Sequence, residues 1–427
     1  MAWGTLRTLG KHSLEIRKGG WGVCWRKIRS VTLKILSLAS IFFAGPLVFF
    51  IVIVRPLVLI RFGTMKSQRI GHFVSDVEAY LCVRDQEQQI RNTLDFIGCP
   101  RPVCNTQIMT MWARTLRIVP GGMFWNYVAM SCRFWTGGDR HNVNLYGRYT
   151  DFKLFTNTKP HLQFTNEETQ RGRDLLHQLG IPPAASWVCI HNRDAAYLDK
   201  AVSIRDWSLH DYRNFSIQSM MEAANVLANR GYYVLRIGSV VNEVLHSNNS
   251  KIIDYSSSHL RSDFGDIYLA AECAAYLGSD SGIACVPLTF RKPVCHVNFS
   301  LTLIDILLAN TGSNYYPSIF KRLWHKKSKR FLSLREIFNA DLVGAAESNL
   351  FVEAGVEPVS NTAEEIRDLT LEIVQRLEGS WCSQPDDEDL QLQFWNTCAQ
   401  LFKVKLVGDI KGRVGTAFLR KNADLLN

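Results

Sequence analysis

From residue 186 onward the chain alternates short apolar runs with helical stretches, and this alternation constrains the fold more than any other feature. The apolar runs are "WVCI", "YYVLRIG", "KIIDYSS", "AAYLGSDSG" and "PVCHVNF". Between them stand the helical patterns "IQSMMEAANVLANRG" and "DFGDIYLAAEC", and "ACVPLTFRK" opens with a short helix. Strands alternating with helices build βαβ units, and these build a parallel sheet covered on both faces. Ligands of such sheets bind outside the carboxyl ends of the strands. Three polar clusters fall on that edge: His191-Asn192-Arg193-Asp194, Gly238-Ser239, and Ser279-Asp280-Ser281-Gly282. Together they point to a ligand rather than to three polar turns.

Each cluster also has a plainer reading. In "HNRD", Asp194 can cap the turn that follows. "GSDSG" sets small hydroxyls and a glycine between a strand and a helix start, where backbone N–H groups meet an anion. It equally fits an ordinary capped turn. No Lys follows to make a Walker A loop, and no GxGxxG is present. Asp266 lies in the first turn of its helix, where the dipole favours a carboxylate. Arg213 and Asn214, in "DYRNFSI", precede a helix and read equally as a capping loop.

Upstream, "DQEQQIRNTLDFIG" reads as part of an amphipathic helix ending near Gly98, and "GGDRHNVNLYGRYTD" as loop. "NEETQRGRDLLHQLGI" reads as a helix capped by Asn166 and ended by Gly180. The pair Pro182-Pro183 then marks a boundary.

The net charge of +10 is confined to the N-terminus. Residues 1–70 hold twelve Lys/Arg against Glu15 alone, while the remaining 37 basic and 38 acidic residues nearly cancel. The basic part flanks "ILSLASIFFAGPLVFFIVIV", residues 35–54, so it suits an anionic membrane surface rather than a nucleic acid. Twenty uncharged residues can cross ~30 Å of hydrocarbon as a helix. Basic residues stand on both flanks, so the charge rule chooses no orientation. A single span, a segment that returns near Gly45-Pro46, and a buried core helix all remain open. The segment is a poor cleavable signal, because its apolar core is long and no small-residue site follows. The eleven cysteines are odd in number and form no CxxC pair. They fit a reducing compartment and give no metal-site spacing.

The order of the clusters resembles the donor-binding half of fucosyltransferase-type GT-B glycosyltransferases, in which a strand leads to His-x-Arg, then to a helix with Asp-Ile, then to a Ser-rich turn. The likeness is closer to a bacterial glycosyltransferase family that carries H-x-RD-x-x-Y, YRN, GYYVLR-x-G, IIDY, SDF-x-DI and S-x-SG. All six occur here in order between 191 and 282, and "GRVGTAFLRKNADLL" resembles that family's C-terminus. The resemblance covers residues from about 165 to 427. It implies that Arg193 pairs with the diphosphate of a nucleotide-sugar, that Ser281 holds the same diphosphate, and that His191 and Asp266 face the nucleoside. Position 194 is Asp where the fucosyltransferase signature has a second Arg, which leaves the nucleotide open.

The expectation is therefore an α/β protein with two GT-B-like Rossmann-type domains behind a membrane-associated segment. Residues 1–64 would anchor, 65–180 would form an acceptor domain, 185–345 would bind the donor, and 346–427 would pack back on the N-terminal domain. Arg193 and Asp194 are the expected catalytic residues. His191, Arg213, Asn214, Gly238, Asp266, Ser279, Ser281 and Gly282 are the expected binding residues. The expected reaction is a metal-independent transfer from a nucleoside-diphosphate sugar to a lipid-linked or envelope glycan acceptor, without a cofactor. It would take place at the cytoplasmic face of an inner membrane. A membrane-bound scaffold that keeps the fold without the activity is the competing expectation.

Overall fold

The computed structural model describes residues 45–86, 92–120, 122–145, 153–156, 158–194, 208–301, 316–402 and 412–426. The described part forms two compact units: residues up to 65 with 92–100 and 116–144, and 66–86 with 101–115 and everything from 145 onward. These units cut across the expected boundary at 180, since most of 65–180 belongs with the second.

The first unit holds a parallel sheet of β1 (Leu59–Thr64), β2 (Thr93–Gly98) and β3 (Arg117–Val119), in that order. One expectation fails here: "TLDFIG" is β2 instead of a helix end. The reason is pairing: Leu59 to Thr64 run beside Thr93 to Gly98 in register. Arg61 on β1 donates from Nε and Nη2 to both oxygens of Asp95 on β2, at 2.6 and 2.9 Å. Residues 45–54 are helical and bury Val48 and Ile51 against Phe62, Val128 and Cys132. Among the described residues no helix is long and apolar enough to cross a membrane. Residues 35–44 of the expected segment lie outside the described residues.

The second unit is built on a five-stranded parallel sheet: β4 (Trp187–His191), β5 (Tyr233–Arg236), β6 (Ile252–Asp254), β7 (Ala275–Gly278) and β8 (Val294–His296). Its strand order, β6-β5-β4-β7-β8, reverses direction between β4 and β7. That reversal is the topological switch point of a doubly wound sheet, where such folds bind ligands. β5 and β6 are zipped by a buried ion pair, Arg236 to Asp254 at 3.1 Å, which explains an Arg inside an otherwise apolar strand.

Local signals set the helices. Thr165, rather than Asn166, caps helix Asn166–Gln178, with Glu168 completing a capping box; such a box satisfies two orphan amides at once. Gly180 and Gly231 end their helices in left-handed geometry, with φ of 74° and 94°, which glycine adopts without a Cβ penalty. Ser262 caps helix Asp263–Glu272.

Beyond β8, short strands β9 (Phe299–Ser300), β10 (Pro317–Ser318), β11 (Phe320–His325), β12 (Arg330–Phe331), β13 (Val356–Val359) and β14 (Arg413–Val414) follow. The C-terminal segment joins this unit's own core instead of returning to an N-terminal domain. Helix Ala363–Leu377 turns Ile366, Leu369, Ile373 and Val374 into the cluster that also holds Ile217, Ala224 and Leu227. Its apolar stripe finds its partner face there, on the helix Met221–Asn229.

Candidate functional site

The expected residues converge at the switch point. His191 ends β4 and lies opposite Gly278, the last residue of β7. Its Nδ1 stands 3.2 Å from the hydroxyls of both Ser279 and Ser281. Tyr276 Oη donates to the Ser279 carbonyl at 3.2 Å and lies 3.4 Å from Ser281 Oγ. Burial, with Arg236 and Arg193 nearby, pushes the His191 imidazole down to about 3. The ring is therefore neutral at physiological pH, and its Nε2 has no partner among the described residues. Gly238 borders the same ring: a Cβ there would come 4.0 Å from His191 Cδ2 and 3.2 Å from Val241.

Arg193 points into the segment that carries "YRN". Its Nη1 donates to the His210 carbonyl at 2.6 Å and to Asn214 Oδ1 at 2.8 Å. Asn214 is the hub of that segment. Its Nδ2 donates to Asp211 at 2.7 Å, and its carbonyl accepts from Lys321 Nζ at 2.7 Å. Arg213 clamps the serine turn by donating from Nε to Asp280 Oδ1 at 3.1 Å and from Nη2 to the Asp280 carbonyl.

Three cations thus share one region, Lys321 buried and Arg193 and Arg213 half-buried. Burial and then Arg213 lower Arg193 to about 10, so it stays charged at neutral pH. Burial, with Arg193 adding to it, lowers Lys321 to about 8, although Asp280 works in the opposite direction. Burial works to lower Arg213, but Asp280, Tyr212 and Cys285 together hold it above its usual value. His210 is lowered by burial and by the fields of Arg193, Arg213 and Arg69. Against Arg193, Arg213 and Lys321 stand the carboxylates of Asp280 and Asp211. Such an excess of positive charge, half-buried or buried, is costly without an anion.

Lys321 is absent from the sequence reading. It enters from β11, which follows Ser318 and Ile319; these bond across to His296 at the end of β8. A lone Lys in "SIFKRLWH" carries no local signal, and only the return of the chain to the sheet edge brings it in.

Three other expectations take a different form. The serine turn leads into a three-residue 3₁₀ turn, Gly282–Ala284, and a five-residue helix, Cys285–Thr289. That is too short for much macrodipole, so side-chain cations carry the positive potential. Gly282 is needed for packing: a Cβ there would lie 3.0 Å from the Gly71 backbone nitrogen, at the start of helix Ile70–Gln86. Asp194 accepts from the Asn242 amide at 2.9 Å, which secures the loop after β5. Asp266 lies at the same edge, in the helix that starts after β6, but pairs with Arg261 at 2.6 Å. Burial holds its carboxyl up at about 6 despite that arginine, and Oδ1 is buried without a partner. Tyr197 lies outside the described residues.

One group among the described residues could offer metal ligands: Glu78, Cys82 and His161. The cluster is already closed by its own charges. Arg291 Nη2 sits 2.7 Å from Glu78 Oε1 and 3.7 Å from Cys82 Sγ. Burial lowers His161, but Cys82, Glu78 and Asp85 outweigh it and raise the ring to about 10. A protonated imidazole beside a guanidinium has no lone pair to give a cation.

No protein-family model matches the chain, and no curated protein does. Among solved structures, a glycosyl transferase family 9 protein from Veillonella parvula DSM 2008 aligns at 9% identity and a TM-score of 0.32, over 56% of this chain and 80% of that one. The E. coli ADP-heptose lipopolysaccharide heptosyltransferase II aligns at 12% and 0.31, over 56% and 84%. A wall teichoic acid polymerase aligns at 11% and 0.25, over 69% and 71%. Scores this low carry no weight beside the geometry. What stands on the structure itself is a mixed α/β chain with parallel sheets and a cation-rich sheet edge at a topological switch point.

Proposed function

We propose that the chain is a glycosyltransferase of GT-B type, moving a sugar from a nucleoside-diphosphate sugar to a lipid-linked or envelope glycan acceptor. One observation carries this reading: the half-buried Arg193 and Arg213 and the buried Lys321 converge with the Ser279 and Ser281 hydroxyls beside a neutral His191. A diphosphate supplies the negative charge this space lacks. As the acceptor oxygen bonds to the anomeric carbon, the bond from that carbon to the diphosphate breaks. Charge then gathers on the leaving phosphate. Guanidinium, ammonium and hydroxyl donors fixed beforehand stabilise that charge most where water is excluded. The acceptor's proton leaves to a base, a part for which Asp194 is poorly placed while it holds the Asn242 amide. With cations supplied by side chains, the transfer needs no metal. The neutral imidazole adds no competing charge and suits a nucleoside face, with Asp266 at the same edge. The basic N-terminus supports work at the cytoplasmic face of a membrane, where nucleotide-sugars are made.

Thermal stabilisation by a panel of nucleoside diphosphates tests the reading. A ligand at a hundredfold its Kd adds about 2.7 kcal/mol to stability. A clear melting shift with at least one diphosphate, and a smaller one with its monophosphate, is expected. No shift with any of them would overturn the proposal.

A further inference from the structure

The first unit carries an apolar face that its own core does not use. Helix 45–54 turns Val48 and Ile51 inward, yet its other side is equally apolar: Phe49, Phe50 and Ile53 are more than half exposed. A helix apolar all round belongs in surroundings without water on either side. Leu57 continues this side at 77% exposure, and Phe134 is 89% exposed. Phe134 and Trp135 come from a distant stretch of sequence, after helix Gly122–Cys132. They nonetheless join the same face: the rings of Phe49 and Trp135 lie 6.3 Å apart, and Arg55 Nη1 donates to the Thr136 carbonyl at 2.7 Å. Seven of the fourteen exposed large apolar side chains among the described residues lie in this smaller unit, which makes the patch a feature rather than scatter.

We infer that this face inserts into the headgroup region of an anionic bilayer, as a two-element platform. The charges around it choose lipid over a second copy of the chain. The described part of the unit holds Arg55, Arg61, Arg117, Arg133 and Arg140 against Asp95 and Asp139. Asp95 is taken by Arg61, and Asp139 is shared with Arg133 at 3.3 Å. The sequence that leads into the helix adds eight Lys/Arg and one Glu before residue 35. Like-charged copies repel face to face, whereas a negative leaflet attracts every one of these groups. A tryptophan and phenylalanines at the rim of an apolar helix are suited to the interface. The inference does not rest on the transfer reading.

The full-length chain is tested with vesicles of phosphatidylcholine alone and of an equal phosphatidylcholine–phosphatidylglycerol mixture. A photoreactive benzoylphenylalanine replaces Phe134 in one preparation and Leu392, exposed in the other unit, in a second. Lipid adducts at position 134 but not at 392, stronger on the anionic vesicles and weakened by salt, are expected. The double variant Phe134→Ser with Leu57→Ser removes only exposed side chains, and each loss weakens vesicle binding about tenfold. Crosslinks at 134 joining two copies of the chain would overturn the inference in favour of self-association. Absence of lipid adducts at 134, or unchanged vesicle binding by the double variant, would overturn it outright. Nucleotide stabilisation persisting in that case would leave the transfer reading standing.

Discussion

Replacing Lys321 by Met separates stability from ligand binding in a way that only an anion site explains. The ammonium is 3% exposed and crowded by Arg193. Its titration sits at about 8 instead of 10.5, and each unit corresponds to about 1.4 kcal/mol. The charged form thus costs the empty protein about 3 kcal/mol at neutral pH. The sign follows from the depressed value. Between about 8 and 10.5 the unfolded chain holds the proton and the folded chain does not, so stability rises with pH across that window. Met removes the charge but leaves the Asn214 carbonyl without its donor, a loss of about 1–3 kcal/mol. The empty variant should therefore melt at or above the parent temperature, and the rise above pH 8 should flatten. Nucleoside-diphosphate affinity, measured by calorimetry, should instead fall 10- to 100-fold, the worth of a charge-assisted bond of about 1.5–3 kcal/mol. Parent affinity should also fall as pH climbs through about 8, and the variant's should not. A variant that binds diphosphate as well as the parent, or that melts far lower while losing affinity only in proportion, would refute the reasoning.

Other outcomes follow from the same geometry. Arg193→Lys should keep the fold yet lower turnover at least tenfold, because one ammonium cannot hold His210 and Asn214 and also face a phosphate; near-parent turnover would count against it. Turnover should survive EDTA with no gain from added Mg²⁺ or Mn²⁺, read in a donor-consumption assay. Asp266→Asn should leave the melting temperature at pH 7 unchanged or higher, since burial holds that carboxyl at about 6. Parent stability should decline from this group as pH rises from about 4 to 6, and the pH–melting curves of the two proteins would show the difference. His161→Ala should destabilise by about 1–3 kcal/mol in denaturant titration, because Glu78 would keep Arg291 but lose its second cation.

The alternation from "WVCI" to "PVCHVNF" was readable because parallel strands buried on both faces are apolar along their whole length. The edge clusters were readable for the same reason: a polar residue directly after such a run has nowhere to go but the sheet edge. "TLDFIG" was not readable as a strand, because six residues after a polar helix carry no period of their own. Only the partner strand Leu59–Thr64, itself hidden behind an apolar segment, decides it. Asn214 looked like a capping residue, but Ser216 caps the turn that follows, and what Asn214 ties down is Arg193 and Lys321. The C-terminal segment was expected to pack back on the N-terminal domain. Which face it would meet depended on the helix Met221–Asn229, some 140 residues earlier in sequence, and no local pattern encodes that.

A contrast within the molecule points to an anion. Its other buried ion pairs close on themselves. Arg236 meets Asp254, with Asn192 Oδ1 taking a further bond at 3.1 Å. Glu372 takes Arg376 on one oxygen and the Thr416 amide and hydroxyl on the other. Glu78, Asp85, His161 and Arg291 make a cluster of two acids and two cations. At the switch point, among the described residues, cations outnumber carboxylates, and there the hydrogen bonds of Arg193 and Lys321 run to neutral carbonyl and amide oxygens instead of to acids. A neutral partner fixes the direction of a cation without cancelling its charge. The field of Arg193 and Lys321 therefore remains available at the edge of the sheet, preorganised for charge that arrives with a ligand and grows as its bond breaks. A purely structural cluster would gain stability from one more Asp or Glu in that space. If Asn214→Asp, which supplies one at the hub, raises the melting temperature of the empty protein while abolishing diphosphate binding, the missing charge is the site's function; a variant that stabilises the protein and still binds diphosphate would show that the imbalance serves something else.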